Sequence, residues 1–230
     1  QEKMSKSLGN FFTIRDILKR YDPEVLRFFI LTAHYRSPID FSDQNMEEAK
    51  AGLTRFYEAL RGAEQVLASH PVPARATCPE ISADEREVYD LVEALEEKFA
   101  EAMDDDFNTA LAIGHLFEGA RAVNRLVAKG RFDDCPLSLT VLRDAVDKLK
   151  KLGGVLGLFA SAPVAWLEGQ KSAGLEERGL DAAAIEALIN ERLQARREKN
   201  FARADAIRNE LAEKGIELLD SKEGTSWKVK

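Results

Sequence analysis

Sulfur and imidazole are scarce in this sequence: its 230 residues hold two cysteines and three histidines. Cys78 and Cys135 stand 57 positions apart, with no second Cys or His at ligand spacing beside either. That spacing speaks against a zinc site or a disulfide framework and reads as two reduced, chemically idle thiols of a cytoplasmic protein. No run of eighteen apolar residues is present, so no bilayer-spanning helix is expected. The opening Gln1-Glu2-Lys3 has neither an initiator methionine nor an apolar secretory segment, and the chain is expected to be part of a longer one. Internal repeats and low-complexity tracts are also missing. The net charge of -7 argues against indiscriminate nucleic-acid binding, but it is unevenly spread. Residues 190–230 carry ten Lys/Arg against eight Asp/Glu, which leaves the remainder at -9 and permits a local RNA contact near the C-terminus.

What is present is mainly helical patterning. After a loop to about Gly9, the mixed apolar spacing of Phe11, Phe12, Ile14, Ile17 and Leu18 suits a short strand and then a helical turn. Asp22-Pro23 reads as an N-cap with proline at the first helical position, opening a helix apolar nearly all round from Val25 to Leu31. Ser42 can cap a helix carrying Met46, Ala49, Leu53, Phe56, Leu60 and Ala63 at steps of three or four. Pro71, Pro73 and Pro79 mark a loop before a second stripe of Val88, Leu91, Leu95, Phe99 and Met103. A third helix is expected over 109–129, and a fourth over 138–152, stopped by Gly153-Gly154. Four such helices with modest loops form an antiparallel bundle. Residues 161–180 contain Pro163, Gly169, Gly174 and Gly179 without sustained periodicity and read as a linker. Beyond it, a helical hairpin capped at Asn200 and ended by Gly215 precedes two small strands, which makes a separate α+β module.

The first loop has a chemistry of its own. Lys3-Met4-Ser5-Lys6-Ser7, followed by Leu8-Gly9-Asn10, sets two ammonium groups and two hydroxyls on a segment that a glycine lets bend. Adenylyl transfer develops negative charge on departing pyrophosphate, and a positioned lysine stabilises that charge as it forms. The string resembles, letter for letter, the KMSKS signature of class I aminoacyl-tRNA synthetases. Its continuation Leu8-Gly9-Asn10-Phe11-Phe12-Thr13 resembles the cysteinyl member of that class. Three further segments keep the family's order. They are Tyr21-Asp22-Pro23-Glu24-Val25-Leu26-Arg27-Phe28-Phe29 with Ala33-His34-Tyr35-Arg36-Ser37-Pro38, then Met103-Asp104-Asp105-Asp106-Phe107-Asn108-Thr109, then Arg203-Ala204-Asp205-Ala206-Ile207-Arg208 with Gly224-Thr225-Ser226-Trp227.

The resemblance covers the whole chain and implies an architecture. Residues 1–41 would hold the KMSKS loop and a stem-contact segment, 42–160 a DALR-type helical bundle, 161–180 the linker and 181–230 an anticodon-binding module. It implies that Lys6 contacts ATP with its Mg2+, that Lys3 assists, and that Ser5 and Ser7 help bind the nucleotide. The family's HIGH-type ATP motif and its cysteine-recognising zinc site are not in this sequence, so zinc is expected in the full-length enzyme and no metal on this chain. Without that catalytic half the chain is expected to be inactive by itself, since Lys6 alone cannot place ATP and amino acid in line.

Other polar residues have plainer readings. Asp104, Asp105 and Asp106 precede a helix start and are read as caps rather than as metal ligands, because a hard cation needs more oxygens at defined spacing. His34, near a helix end, is read as structural. Around the terminal hairpin Arg192, Arg196, Arg197, Lys199, Arg203 and Arg208 form a basic cluster, by default a solvated face. Its neighbours suit single-stranded RNA: Phe201 offers a ring for stacking, Arg196 a planar donor fork, and Asp205 and Asp220 acceptors for base edges. The resemblance carries anticodon recognition onto Arg196, Phe201, Asp205 and Asp220, with Trp227 a further stacking candidate; Phe201 could equally be a core residue at the hairpin turn, and Trp227 could instead pack the two strands onto the helices. The expected activity is cysteine-tRNA ligation by a monomer, with cysteine tRNA, ATP and cysteine as partners. The alternatives are the related ligase that joins cysteine to an amino sugar in mycothiol synthesis, and a non-catalytic tRNA-binding protein derived from a synthetase.

Overall fold

The computed structural model describes residues 13–73, 76–221 and 224–229. Lys3, Ser5, Lys6 and Ser7, and the expected strand residues Phe11 and Phe12, lie outside the described residues. Among the described residues, helices lead to one two-stranded antiparallel sheet, and the chain divides into two units, Gln1–Val164 and Ala165–Lys230.

In the first unit, Thr13 caps the single turn α1 (Ile14–Ile17), and Asp22 caps α2 (Pro23–Leu31) by accepting from the Glu24 N–H at 2.7 Å. Ser42 opens α3 (Asp43–Ser69). Ser82 and Glu85 form a reciprocal capping box on α4 (Ala83–Asp104). Asn108 caps α5 (Thr109–Lys129), and α6 runs from Leu137 to Val155. The stripes read from sequence lie on the buried faces, except that Leu91 and Met103 are half-buried and Val92 takes a core position on α4. Leu53, Phe56, Leu60, Val92, Leu95, Leu116, Val123, Leu142 and Leu149 are all essentially inaccessible, each contributing about 1.5–3 kcal/mol of burial. Helix α5 packs against α3, α4 and α6, which makes it the central member of the bundle.

A buried carboxylate ties α2 to the middle of α3 and to the segment that follows α6. Glu24 accepts from the Tyr57 hydroxyl of α3 at 2.7 Å and from the Phe159 backbone N–H at 2.6 Å, both within the core. Burial, reinforced by Glu24, raises the Tyr57 hydroxyl well above the usual tyrosine range, which keeps it a donor. Next to this network Arg27 donates to the Gly157 carbonyl at 2.8 Å.

Four local expectations are corrected. Gly153-Gly154 does not stop α6, which continues to Val155. Gly153 is instead a notch for the Phe159 ring, since a Cβ there would lie 2.2 Å from Phe159 Cδ2. Residues 161–180 are largely helix rather than linker, as described below. Asp106 caps nothing. It accepts from Arg36 Nε at 2.7 Å and from the Tyr35 hydroxyl at 2.7 Å, and so pins the His34–Arg36 loop to the α4–α5 turn while Asn108 does the capping. The cysteines are not separate thiols either. Cys78, in the loop after α3, and Cys135, just before α6, are joined by a disulfide with their Cα atoms 4.6 Å apart. The α3–α4 loop and the α5–α6 turn lie at the same end of an antiparallel bundle, a proximity that sequence spacing does not reveal.

The second unit takes in most of α7 (Pro163–Arg178), followed by α8 (Ala182–Arg197), α9 (Phe201–Glu213), β1 (Ile216–Ser221) and β2 (Gly224–Val229). The strands pair antiparallel with Leu218 opposite Trp227. Gly215, at φ +75°, makes the left-handed turn from α9 into β1. Leu175 of α7 joins Ile185, Ile189, Ile207, Leu211, Ile216 and Trp227 in one small core.

Candidate nucleic-acid interface

The candidate surface is built by the α8–α9 turn and the outer end of β1. Helix α8 ends in a Schellman-type closure: the Asn200 N–H donates to the Ala195 carbonyl at 2.8 Å, with Lys199 in the left-handed region at φ +59°. A glycine would adopt that conformation more cheaply, and the chain holds a lysine there instead. The Asn200 side chain then accepts from the Arg203 N–H to cap α9. This places Phe201 first in the helix, 62 % exposed, with Asp205 one turn on and also exposed.

Behind this face lies a charge cluster. Arg192, only 5 % exposed, donates from both Nη atoms to the two Asp220 oxygens at 2.9 and 2.8 Å. Asp220 also accepts from Thr225 Oγ1 at 2.6 Å and from Arg196 Nη1 at 3.3 Å. The Arg192 and Thr225 hydrogen bonds hold the Asp220 carboxyl well below the usual aspartate range. Arg192 is shifted upward, first by its bond to Asp220, and it also feels the charge of Asp205, which places that carboxylate within electrostatic reach of the pair. Arg196 remains half-exposed at the edge of the cluster.

The structure therefore sorts the predicted residues into distinct roles. Phe201 and Asp205 share one open helix face, and Asp205 has no hydrogen-bond or ion-pair partner among the described residues. Asp220 and Arg196 are brought together, but the oxygens of Asp220 are already engaged. Trp227 is a core residue and not an open platform: it is 6 % exposed, its Nε1 donates to Glu186 at 2.5 Å, and the Lys171 ammonium lies 3.3 Å above its ring. A tryptophan facing the hairpin from a short strand is the largest available filler for so small a core. Arg192 is the residue that sequence reasoning placed in the cluster without giving it a role. Its only signal was its position on α8 one turn before Arg196, since the bond to Asp220 spans 28 residues. Of the other basic residues Arg203 is paired with Glu191 at 2.7 Å, whereas Arg197, Lys199 and Arg208 are exposed and unpaired among the described residues.

The family model for the class I (C) tRNA synthetase catalytic domain matches residues 1–51, that for the DALR domain residues 98–160, and that for the cysteinyl-tRNA ligase anticodon binding domain residues 178–227. The chain is 57 % identical over all 230 residues to a protein of Syntrophotalea carbinolica named cysteine–tRNA ligase. It is 52 % identical over 229 residues to the protein of the same name from Geobacter sulfurreducens. Along its whole length the chain is similar to part of a cysteine–tRNA ligase. It spans 45 % of the length of each of these two relatives. The synthetase-type bundle contains no helix long and apolar enough to cross a membrane, and no group of three or more His, Cys, Asp or Glu side chains that could hold a metal ion, among the described residues.

Proposed function

We propose that this chain serves cysteine-tRNA ligation in the cytoplasm, supplying the pyrophosphate loop and the tRNA-reading half of a monomeric enzyme. Lys6 binds the polyphosphate of ATP with its Mg2+, Lys3 stabilises the leaving pyrophosphate, and Ser5 and Ser7 orient it. The zinc that selects cysteine is assigned to the rest of the full-length enzyme. The second unit reads the anticodon of cysteine tRNA, and the observation that carries this reading is the pairing of an exposed aromatic ring with a carboxylate, unpartnered among the described residues, on one helix face. Phe201 stacks an unpaired base, and Asp205 accepts from the Watson–Crick edge of that base or its neighbour. Arg196, fixed by Asp220, presents a donor fork beside them. Asp220 acts here by holding Arg192 and Arg196 in place. The exposed Arg197, Lys199 and Arg208 attract phosphate and supply the salt-dependent share of binding.

The test is binding of the chain to cysteine tRNA and to an anticodon-altered version across a salt series. Asp205→Ala is expected to reduce the preference for the native anticodon about 10-fold or more and leave the salt slope unchanged, because a lost base contact costs discrimination rather than phosphate attraction. Equal binding of both tRNAs by the unaltered chain would remove the anticodon assignment.

A further inference from the structure

The bond between Cys78 and Cys135 stands in surroundings built for thiol chemistry. Cys135 is fully buried, and the Tyr89 hydroxyl lies 3.7 Å from its Sγ and 2.8 Å from Ser138 Oγ. Cys78 is only partly covered, and Arg131 Nη2 lies 3.8 Å from its Sγ. That guanidinium is held in position by the Glu80 carbonyl at 2.8 Å and by both oxygens of Glu85, whose carboxyl it draws down to about 2. The guanidinium beside this half-covered sulfur favours its thiolate, the nucleophilic form, against the Glu80 carbonyl oxygen 3.0 Å from Sγ and the pairing of Arg131 with Glu85, whereas a sulfur sealed in the core reacts with nothing but its neighbour.

We propose that Cys78 and Cys135 form a reversible disulfide staple across one end of the bundle, closed by low-molecular-weight disulfides and opened by thiols, with Cys78 reacting first. In the closing reaction the Cys78 thiolate attacks one sulfur of a disulfide such as oxidised glutathione. A mixed disulfide forms at Cys78 and a glutathione thiolate departs. The Cys135 thiol then attacks Cys78 Sγ, forming the internal bond, and its proton leaves with the second glutathione, which departs as a thiol. Two protein thiols are thereby oxidised and one glutathione disulfide is reduced to two thiols. The bond joins the α3–α4 loop to the α5–α6 turn, at the end of the bundle away from the His34–Arg36 loop, and removes freedom from an unfolded chain that would otherwise separate these positions by 57 residues.

The experiment treats the reduced 230-residue chain with glutathione disulfide under native conditions and follows free thiols, intact mass and thermal unfolding. Both thiols should disappear with no glutathione retained. The unfolding temperature should rise by about 5–10 °C, and dithiothreitol should reverse both changes. Cys135→Ser should stop at a stable glutathione adduct on Cys78, whereas Cys135 in Cys78→Ser should react roughly ten-fold or more slowly, because it is buried without a cation beside it. Two thiols that stay titratable in the treated unaltered chain, or glutathione retained on both, would overturn the staple. Equal rates for the two single variants would overturn Cys78 as the entry point. Serine differs from cysteine by one atom, and the titration of the unaltered chain decides the first point even if a variant folds poorly.

Discussion

Removing the Glu24 carboxylate takes the acceptor from the buried Phe159 N–H and the carboxylate partner from the Tyr57 hydroxyl. An orphaned buried donor costs roughly 1–3 kcal/mol, so Glu24→Ala is expected to destabilise the first unit by about 1–3 kcal/mol, measured by denaturant unfolding. Glu24→Gln keeps one acceptor oxygen but turns an amide NH2 toward the other donor, and should fall roughly halfway. An effect under about 0.5 kcal/mol for Glu24→Ala would mean that water satisfies these groups. The sequence marks Glu24 only as the second residue of a capped helix, where a carboxylate ordinarily serves the helix dipole. Its role in the core comes from partners 33 and 135 residues away. Phe201 and Asp205 contrast with it, because their spacing of four on a helix already places them side by side.

At the scale of the element, the helices were legible because their stripes are long and their caps explicit. Ser42, Ser82, Asn108, Asp181 and Asn200 all accept hydrogen bonds from the backbone of the helix they begin. The failures share a cause. Gly153-Gly154 looked like a stop signal, and Pro163 with three glycines looked like a linker, because glycine and proline weaken a helix locally and propensity is all that a short window reveals. Tertiary packing overrides that bias at both places. At Gly153 the Phe159 ring occupies the volume a side chain would need, and along α7 Gly174 admits Val229 of the terminal strand while Leu175 enters the core. Gly153→Ala is accordingly expected to destabilise the first unit by about 1–3 kcal/mol despite its better helix propensity, as read from the denaturation midpoint. A stabilised variant would show that Gly153 serves flexibility rather than space.

For the whole molecule, the two units can be followed separately because both tryptophans, Trp166 and Trp227, belong to the second. Tryptophan emission therefore reports that unit alone. Asp220 has a folded-state value below the ordinary 3.8 of an aspartate. A depressed carboxyl contributes stability that is fully present above the ordinary value and is lost as pH falls through it toward the lower folded value. The second unit should accordingly hold a constant unfolding temperature above about pH 5 and lose stability below about pH 4. Asp220→Asn should flatten that acid limb and lower the plateau, since Arg192 would be left buried without its counter-charge. An unchanged limb in the variant would assign the acid sensitivity to other carboxylates.

The sequence by itself determined the helical stripes and caps, the KMSKS signature, the order of the modules and the placing of Phe201 and Asp205 on one helix face, because each is written in residues that are neighbours along the chain or along one helix. Tertiary structure alone decided that Glu24 is a buried link, that Trp227 is core, that Asp220 holds Arg192 in place, and that Cys78 meets Cys135. Those four outcomes depend on which distant segments the bundle and the hairpin bring within bonding distance, and local periodicity has no term for that.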